Sequence, residues 1–211
     1  VNAGEAKFAD YYREPAEKLL KLLDYAEDGP MAYSYEDACT AFARGQSAMF
    51  PCGSFAVPQI LSANPEMNIG LFAMPASDNP DDRIIVSGVD LCWNMLAAKE
   101  EHRDQIYEVI DFLNEPENLQ TYCDDQKAIP CIEGDFTLDP LFDDIQDFLD
   151  EGKVIDYPDH SYPSGMACDA QLQAFLLDKD VDAFLANWDN LWQRYNKTVI
   201  RKYAEYMANQ G

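Results

Sequence analysis

A helix-rich α/β fold with few strands is what this sequence predicts, and three observations carry the prediction. Apolar residues recur at i, i+3, i+4 and i+7 in one segment after another, the spacing of amphipathic helices. Short apolar runs closed by turn formers supply only a handful of strand candidates. The chain of 211 residues is 47% hydrophobic, enough for one large or two small domains with their own cores, and it has no apolar run of membrane-spanning length.

The elements follow in order. Ala16, Leu19, Leu20 and Leu23 form one stripe, so a helix is expected over 14–26. Ser34 can cap a second helix near 35–43, with Asp37 three residues on and Gly45 as the left-handed stop. A short strand is expected near 47–50 and a helix over 54–63, with Pro58 tolerated in its first turn. Residues 68–74 read as a strand closed by Pro75, and 75–83 is loop chemistry. Two strands, 84–86 and 91–96, flank Ser87-Gly88-Val89-Asp90. Helices are expected from Glu101 to Leu113, from Pro116 onward, and over 139–150. A polar loop from Asp156 to Gly165 precedes a helix of about ten residues ending near Leu177. The last helix is expected to be the longest, placing Trp188, Trp192 and Tyr195 on one packed face and continuing past Tyr203. No internal repeat or low-complexity tract is present.

Fifteen basic residues against 39 acidic ones give a net charge of −24. Such a field repels nucleic acid and anionic membranes and favours a neutral ligand. The six cysteines, Cys39, Cys52, Cys92, Cys123, Cys131 and Cys168, form no Cys-x-x-Cys pair, and only two histidines accompany them. A zinc site is therefore disfavoured, no cofactor is expected, and mostly free thiols among apolar neighbours are.

Residues 35–55 hold the most informative pattern. Ala41-Phe42-Ala43-Arg44-Gly45-Gln46-Ser47-Ala48-Met49 leads into Cys52-Gly53-Ser54-Phe55. Chemically this is a helix, a glycine stop, a small-residue segment and a glycine turn carrying an aromatic ring. Phe55 either packs into the core at this corner or is displayed as a platform for a flat apolar ligand face. The pattern resembles a stretch of the extracellular solute-binding proteins of sugar ABC transporters (family 1), the group that includes maltose-binding protein. There a glycine and an aromatic, usually Trp, follow the same motif, and the ring stacks on a sugar. Phe55 departs from that Trp: it is smaller and lacks the indole donor.

The resemblance covers most of residues 15–195 and implies a periplasmic-binding-protein-like type II fold. It implies that the chain is the C-terminal portion of a longer protein. Residues 1–74 would belong to the C-terminal lobe, 75–126 to a hinge crossing and an excursion into the N-terminal lobe, and 127–211 to the C-terminal lobe again. It further implies a mono- or oligosaccharide ligand, ABC permease subunits as partners, and a cell-surface lipoprotein or periplasmic location. Membrane attachment would come only from a lipid anchor in the missing N-terminal part.

Two further segments carry candidate contacts. Gly88 allows a sharp turn or close ligand approach, and Asp90 offers two strong acceptors for sugar hydroxyls or caps the loop. The resemblance places a similar segment at the cleft. Tyr162, in His160-Ser161-Tyr162-Pro163, supplies a ring and a hydroxyl or serves a structural proline turn. The candidate ligand set is thus Gly53, Ser54, Phe55, Gly88, Asp90 and Tyr162. Trp93 is expected in the core.

No nucleophile elbow, zincin helix, phosphate loop or dinucleotide fingerprint occurs, so catalysis has no positive signal. The rival readings are a carbohydrate-active hydrolase using a carboxylate pair and an acidic protein-interaction module.

Overall fold

The computed structural model of the protein describes residues 1–75, 77–88, 92–96 and 101–209. In these the chain forms helices α1 (Ala9–Leu23), α2 (Tyr35–Ala43), α3 (Val57–Ala63), α4 (Arg103–Leu113), α5 (Pro116–Gln126), α6 (Gln146–Asp150), α7 (Cys168–Asp178), α8 (Val181–Tyr195) and α9 (Lys197–Ala208). Strands β1 (Ile85–Val86) and β2 (Val154–Ile155) pair in parallel, Ile85 opposite Val154 and Val86 opposite Ile155. The chain divides into two compact units, Tyr33–Asp156 and Val1–Ala32 with Tyr157–Gly211.

In the Tyr33–Asp156 unit, α2 has the bounds its caps dictate. The Ser34 hydroxyl accepts from the Asp37 N–H at 3.1 Å. At the other end Gly45 takes φ +71°, its N–H reaching the Phe42 carbonyl and the Gln46 N–H reaching that of Ala41. This paired closure satisfies two end carbonyls, and the left-handed residue it needs is most easily a glycine. Helix α2 then packs on α3 through a buried cluster of Cys39, Ala43, Ala56 and Ile60, flanked by Phe42, Phe50, Met67 and Ile69. The Asn64 side chain donates to the Ala43 carbonyl at 3.0 Å, tying the end of α3 to the end of α2.

Farther along, α5 starts with Pro116, as expected, and ends at Lys127 in the left-handed conformation. The Lys127 ammonium donates to the Asp139 carboxylate at 2.6 Å. Asp139 also accepts from the Leu141 N–H, capping a 3-10 helix over Pro140–Ile145 that precedes α6. The single helix expected over 139–150 is therefore a tight 3-10 turn followed by one short α-turn. Likewise the helix expected over 54–63 opens as a 3-10 turn, Ser54–Ala56, before α3.

The strand expectations need the larger correction. Among the described residues, 47–50, 68–74 and 92–96 are not strands, and only Ile85–Val86 of the expected 84–86 strand is paired. An apolar run becomes a strand only when a neighbour accepts its ladder hydrogen bonds. Here Ile85 donates to the Lys153 carbonyl and Ser87 to that of Ile155, both at 2.9 Å. The partner, β2, was not among the expected strands.

In the other unit, α1 begins earlier than its apolar stripe suggests and runs through Pro15. What sustains it is tertiary. Ala16 is buried, Arg13 pairs with Asp182 at the start of α8, and the Phe8 N–H donates to Asp189 of α8 at 2.9 Å. The core gathers Phe8, Met166 and Trp188, with Phe184, Leu191 and Trp192 packed against them. Phe175 of α7 stacks on Phe184 at 4.3 Å. The long final helix breaks at Asn196 into α8 and α9. Trp188 is buried and Trp192 packs in the core as expected, whereas Tyr195 is exposed.

Two outcomes test this account. Leu185, 1% exposed on α8, should cost about 2–5 kcal/mol as Leu185→Ala by denaturant unfolding, whereas Leu177→Ala, on the exposed side of α7, should stay within about 0.5 kcal/mol. Lys127, then the Leu141 N–H, hold the Asp139 carboxyl below its ordinary range. A carboxyl depressed in the folded state stabilises at pH values above its unfolded pKa, and that stability disappears as pH falls through the folded value. Asp139→Asn should therefore be less stable than the parent near pH 7, by about 0.5–1 kcal/mol. The two should converge in melts as the pH falls through the depressed folded value of Asp139, where the parent carboxyl is protonated too.

Candidate functional site

The glycine-turned aromatic of the sequence pattern is displayed, not buried. Phe55 is 60% exposed, while the next two residues, Ala56 and Val57, are buried. The 3-10 turn accounts for this division. Gly53 opens it in extended backbone, the Ala56 N–H closes on the Gly53 carbonyl at 3.0 Å, and Ser54 is half-buried. The Phe55 ring folds back over Gly53, so that a Cβ at position 53 would collide with it. Glycine is thus required here for close approach of a side chain, not for its dihedral freedom.

Tyr35, the first residue of α2, completes this neighbourhood. Its ring centroid lies 6.1 Å from that of Phe55 with the planes inclined by 37°, and its hydroxyl points to the Phe55 carbonyl at 3.4 Å. Burial of the hydroxyl, with the Cys39 thiol next in effect, pushes the Tyr35 phenol up to about 12. It is a protonated donor at neutral pH. Tyr35 did not emerge as a candidate from the sequence, where it reads as one more residue of a helix first turn.

Gly88 occupies a second neighbourhood of the same unit. It lies two residues beyond β1, and Asp156 immediately follows β2, so both stand at the C-terminal ends of the short parallel pair. A Cβ on Gly88 would strike the Asp156 carboxylate. The bare backbone of Gly88 therefore makes room for that acid. Asp90, the expected acceptor, lies outside the described residues. Trp93 corrects an expectation: it is 67% exposed, because 92–96 forms no sheet whose face could bury it.

Tyr162 belongs to the other compact unit. Its hydroxyl pairs with that of Tyr12 at 2.8 Å, and its ring meets Phe8, Trp188 and Trp192 at 5.3–6.1 Å. Burial first, then the Tyr12 hydroxyl, push its phenol well above the ordinary range. Phe8, Tyr12, Tyr162 and Trp192, with Asn2 and Ser161, line an open pocket of about 350 Å³. Trp192 donates its indole N–H to Asn2 at 3.0 Å. Ring walls with hydroxyl and amide edges suit a small neutral molecule that has an apolar face and polar rim.

The sequence candidates therefore fall into three neighbourhoods: Gly53, Ser54 and Phe55 with Tyr35; Gly88 with Asp156; and Tyr162 with Tyr12. Among the described residues no cluster of three or more His, Cys, Asp or Glu side chains could hold a metal ion, and no helix is long and apolar enough to cross a membrane. All six thiols are free, Cys39 and Cys123 buried, Cys52 exposed beside Gly53.

No protein-family model matches the chain. Over 123 residues it is 29% identical to a multiple sugar-binding protein of Streptococcus mutans serotype c. That match covers 56% of this chain and 29% of the relative, so the likeness takes in less than a third of the relative's length. The relative is named for sugar binding, not for catalysis.

The collision of a Cβ with the Phe55 ring has a direct readout. Gly53→Ala should shift the Phe55 ring resonances in NMR spectra while changing stability by no more than about 0.5 kcal/mol. Gly70→Ala, where a Cβ would meet only Asp144 at ordinary contact distance, should leave those resonances in place.

Proposed function

We propose that the protein binds a neutral sugar or oligosaccharide outside the cell and delivers it to the permease of an ABC importer. The observation that carries this reading is the exposed Phe55 ring, standing on its glycine turn within the segment that resembles the sugar-binding proteins. An exposed aromatic face offers the apolar side of a pyranose a surface to stack on, and sugars are neutral, as the −24 charge favours. The distant sugar-binding relative supports the same ligand class.

In this proposal the fold is of the periplasmic-binding-protein type II. Residues 1–74 and 127–211 form C-terminal-lobe structure, and 75–126 makes a hinge crossing and an N-terminal-lobe excursion. Ligand capture is then by hinge closure of the lobes of the whole protein, followed by docking of the closed form on the permease. Phe55 stacks, Gly53 and Ser54 shape its turn, and the protein turns nothing over. Location at the cell surface or in the periplasm follows from this role.

The test is titration of the whole protein with a panel of neutral mono- and oligosaccharides, read by calorimetry and by melting shift. At least one should bind without product release. Phe55→Ala should weaken that sugar about fivefold or more, since stacking contributes on the order of 1 kcal/mol beyond the area it buries. Heat or melting shifts absent across the whole panel would sink the sugar assignment.

A further inference from the structure

Four aromatic rings line the open pocket of the unit made of Val1–Ala32 and Tyr157–Gly211, and every residue that lines it belongs to that unit. We propose that this pocket is an aromatic box for a quaternary ammonium group, a small cation with methyl groups around its charge. The inference goes beyond the sugar-binding reading and does not depend on it.

Three observations support it. First, the walls meet at steep angles. Phe8 stands at 82° to Tyr12 and at 69° to Trp192, and Tyr162 stands at 84° to Trp192, with centroids 5.2–5.8 Å apart. Phe8 and Tyr162, inclined by 40°, come nearer to parallel. A flat ligand needs parallel walls to lie between, whereas perpendicular walls make a corner that fits a rounded group. The volume of about 350 Å³ is in the range of small-ligand pockets.

Second, the charges favour a cation. The face of an aromatic ring is the negative end of its quadrupole and attracts a positive group placed over it. None of the residues lining the pocket has a basic side chain. Arg13, beside Tyr12, is engaged with Asp182. Acids stand close in the chain and in space: Asp159 directly follows Pro158 of the lining, and Asp189 accepts from the Phe8 N–H at 2.9 Å. A neutral molecule with an apolar face fits the same rings, but only a cation gains from their electrostatics. A methylated ammonium also sheds water more readily than a lysine-type ammonium, which is a compact and strongly hydrated charge.

Third, the rings are held before any ligand arrives. The Tyr12 and Tyr162 hydroxyls pair at 2.8 Å, and the Trp192 indole N–H donates to Asn2 at 3.0 Å. Phe8 is buried against Met166 and Trp188. Walls tied to one another in this way lose little freedom on binding.

The experiment follows the Trp192 indole N–H resonance of the whole protein during titration with choline chloride at constant ionic strength. Dimethylbutanol, in which a tert-butyl group replaces the trimethylammonium, is the neutral control. Choline should shift the resonance saturably with a Kd below about 10 mM, and dimethylbutanol should bind about tenfold more weakly. Tyr12→Leu should weaken choline about threefold or more, and Tyr12→Phe should stay within about twofold of the parent. Unfolding midpoints identify a variant that has lost its fold, and the comparison with dimethylbutanol needs no variant. Cosedimentation with phosphatidylcholine vesicles separates the two sources of the cation. Cosedimentation displaced by choline makes it a lipid headgroup; choline binding without cosedimentation makes it a free solute. The box is overturned if choline gives no saturable shift, if dimethylbutanol binds as tightly as choline, or if choline affinity is unchanged in folded Tyr12→Leu. It is equally overturned if Tyr12→Phe loses as much as Tyr12→Leu, which would assign the hold to the hydroxyl and not to the ring. Failure of every sugar to bind would sink the sugar reading and leave this one standing.

Discussion

The close packing of α2 on α3 is the constraint from which the described aromatic surface follows. Its centre is small: a cysteine with no exposed surface, two alanines and an isoleucine. Small side chains let helix backbones approach, and the larger Phe42, Phe50, Met67 and Ile69 close the edges. Burial of a few such residues contributes on the order of 1–3 kcal/mol each. That is enough to hold a helix start and a turn in fixed register, and the two exposed rings inherit the register. Asn64, donating to the last carbonyl region of α2, ends the helix pair with a polar clasp instead of more apolar surface.

A second kind of order comes from phenols. Tyr35 and Tyr162 each combine an apolar ring with a hydroxyl that has a named neighbour: the Phe55 carbonyl for one, the Tyr12 hydroxyl for the other. Both phenols are pushed up by burial, further above the neutral range in which a phenol is already protonated. Ion pairs such as Glu14–Lys18 on α1 lie in the open and contribute little, while Lys127–Asp139 is more sheltered and joins the end of α5 to the start of the next turn.

How legible this was from the amino acids depends on how local the cause is. Helix α2 was read to the residue, because its start and stop are written in Ser34, Asp37 and Gly45. Pro116 announced α5 in the same way. Where the cause is a distant partner, reading failed. Helix α1 begins at Ala9 because α8 offers Asp182 and Asp189; no periodicity around Pro15 says so. Apolar 47–50 and 68–74 look like strands, yet a strand is a property of two segments, and Lys153 to Ile155, which does pair, is too short to signal itself. In the site, a motif singled out Phe55 but left open whether the ring was buried or displayed, and Tyr35 and Asp156 entered only through three-dimensional contact with Phe55 and Gly88.

The bare Cα of Gly53 has a consequence for how this surface can change over generations. A side chain there meets only the movable end of the Phe55 ring, so the fold tolerates it and a screen for soluble, stable protein would pass it. The loss would fall wholly on the ring's placement. On the proposed sugar-binding role, selection for folding and selection for recognition would act on neighbouring residues, one on Ala56 and Val57 and the other on Gly53 and Phe55. Drift or a stability-guided redesign could displace the Phe55 ring while every measure of structural health stayed unchanged.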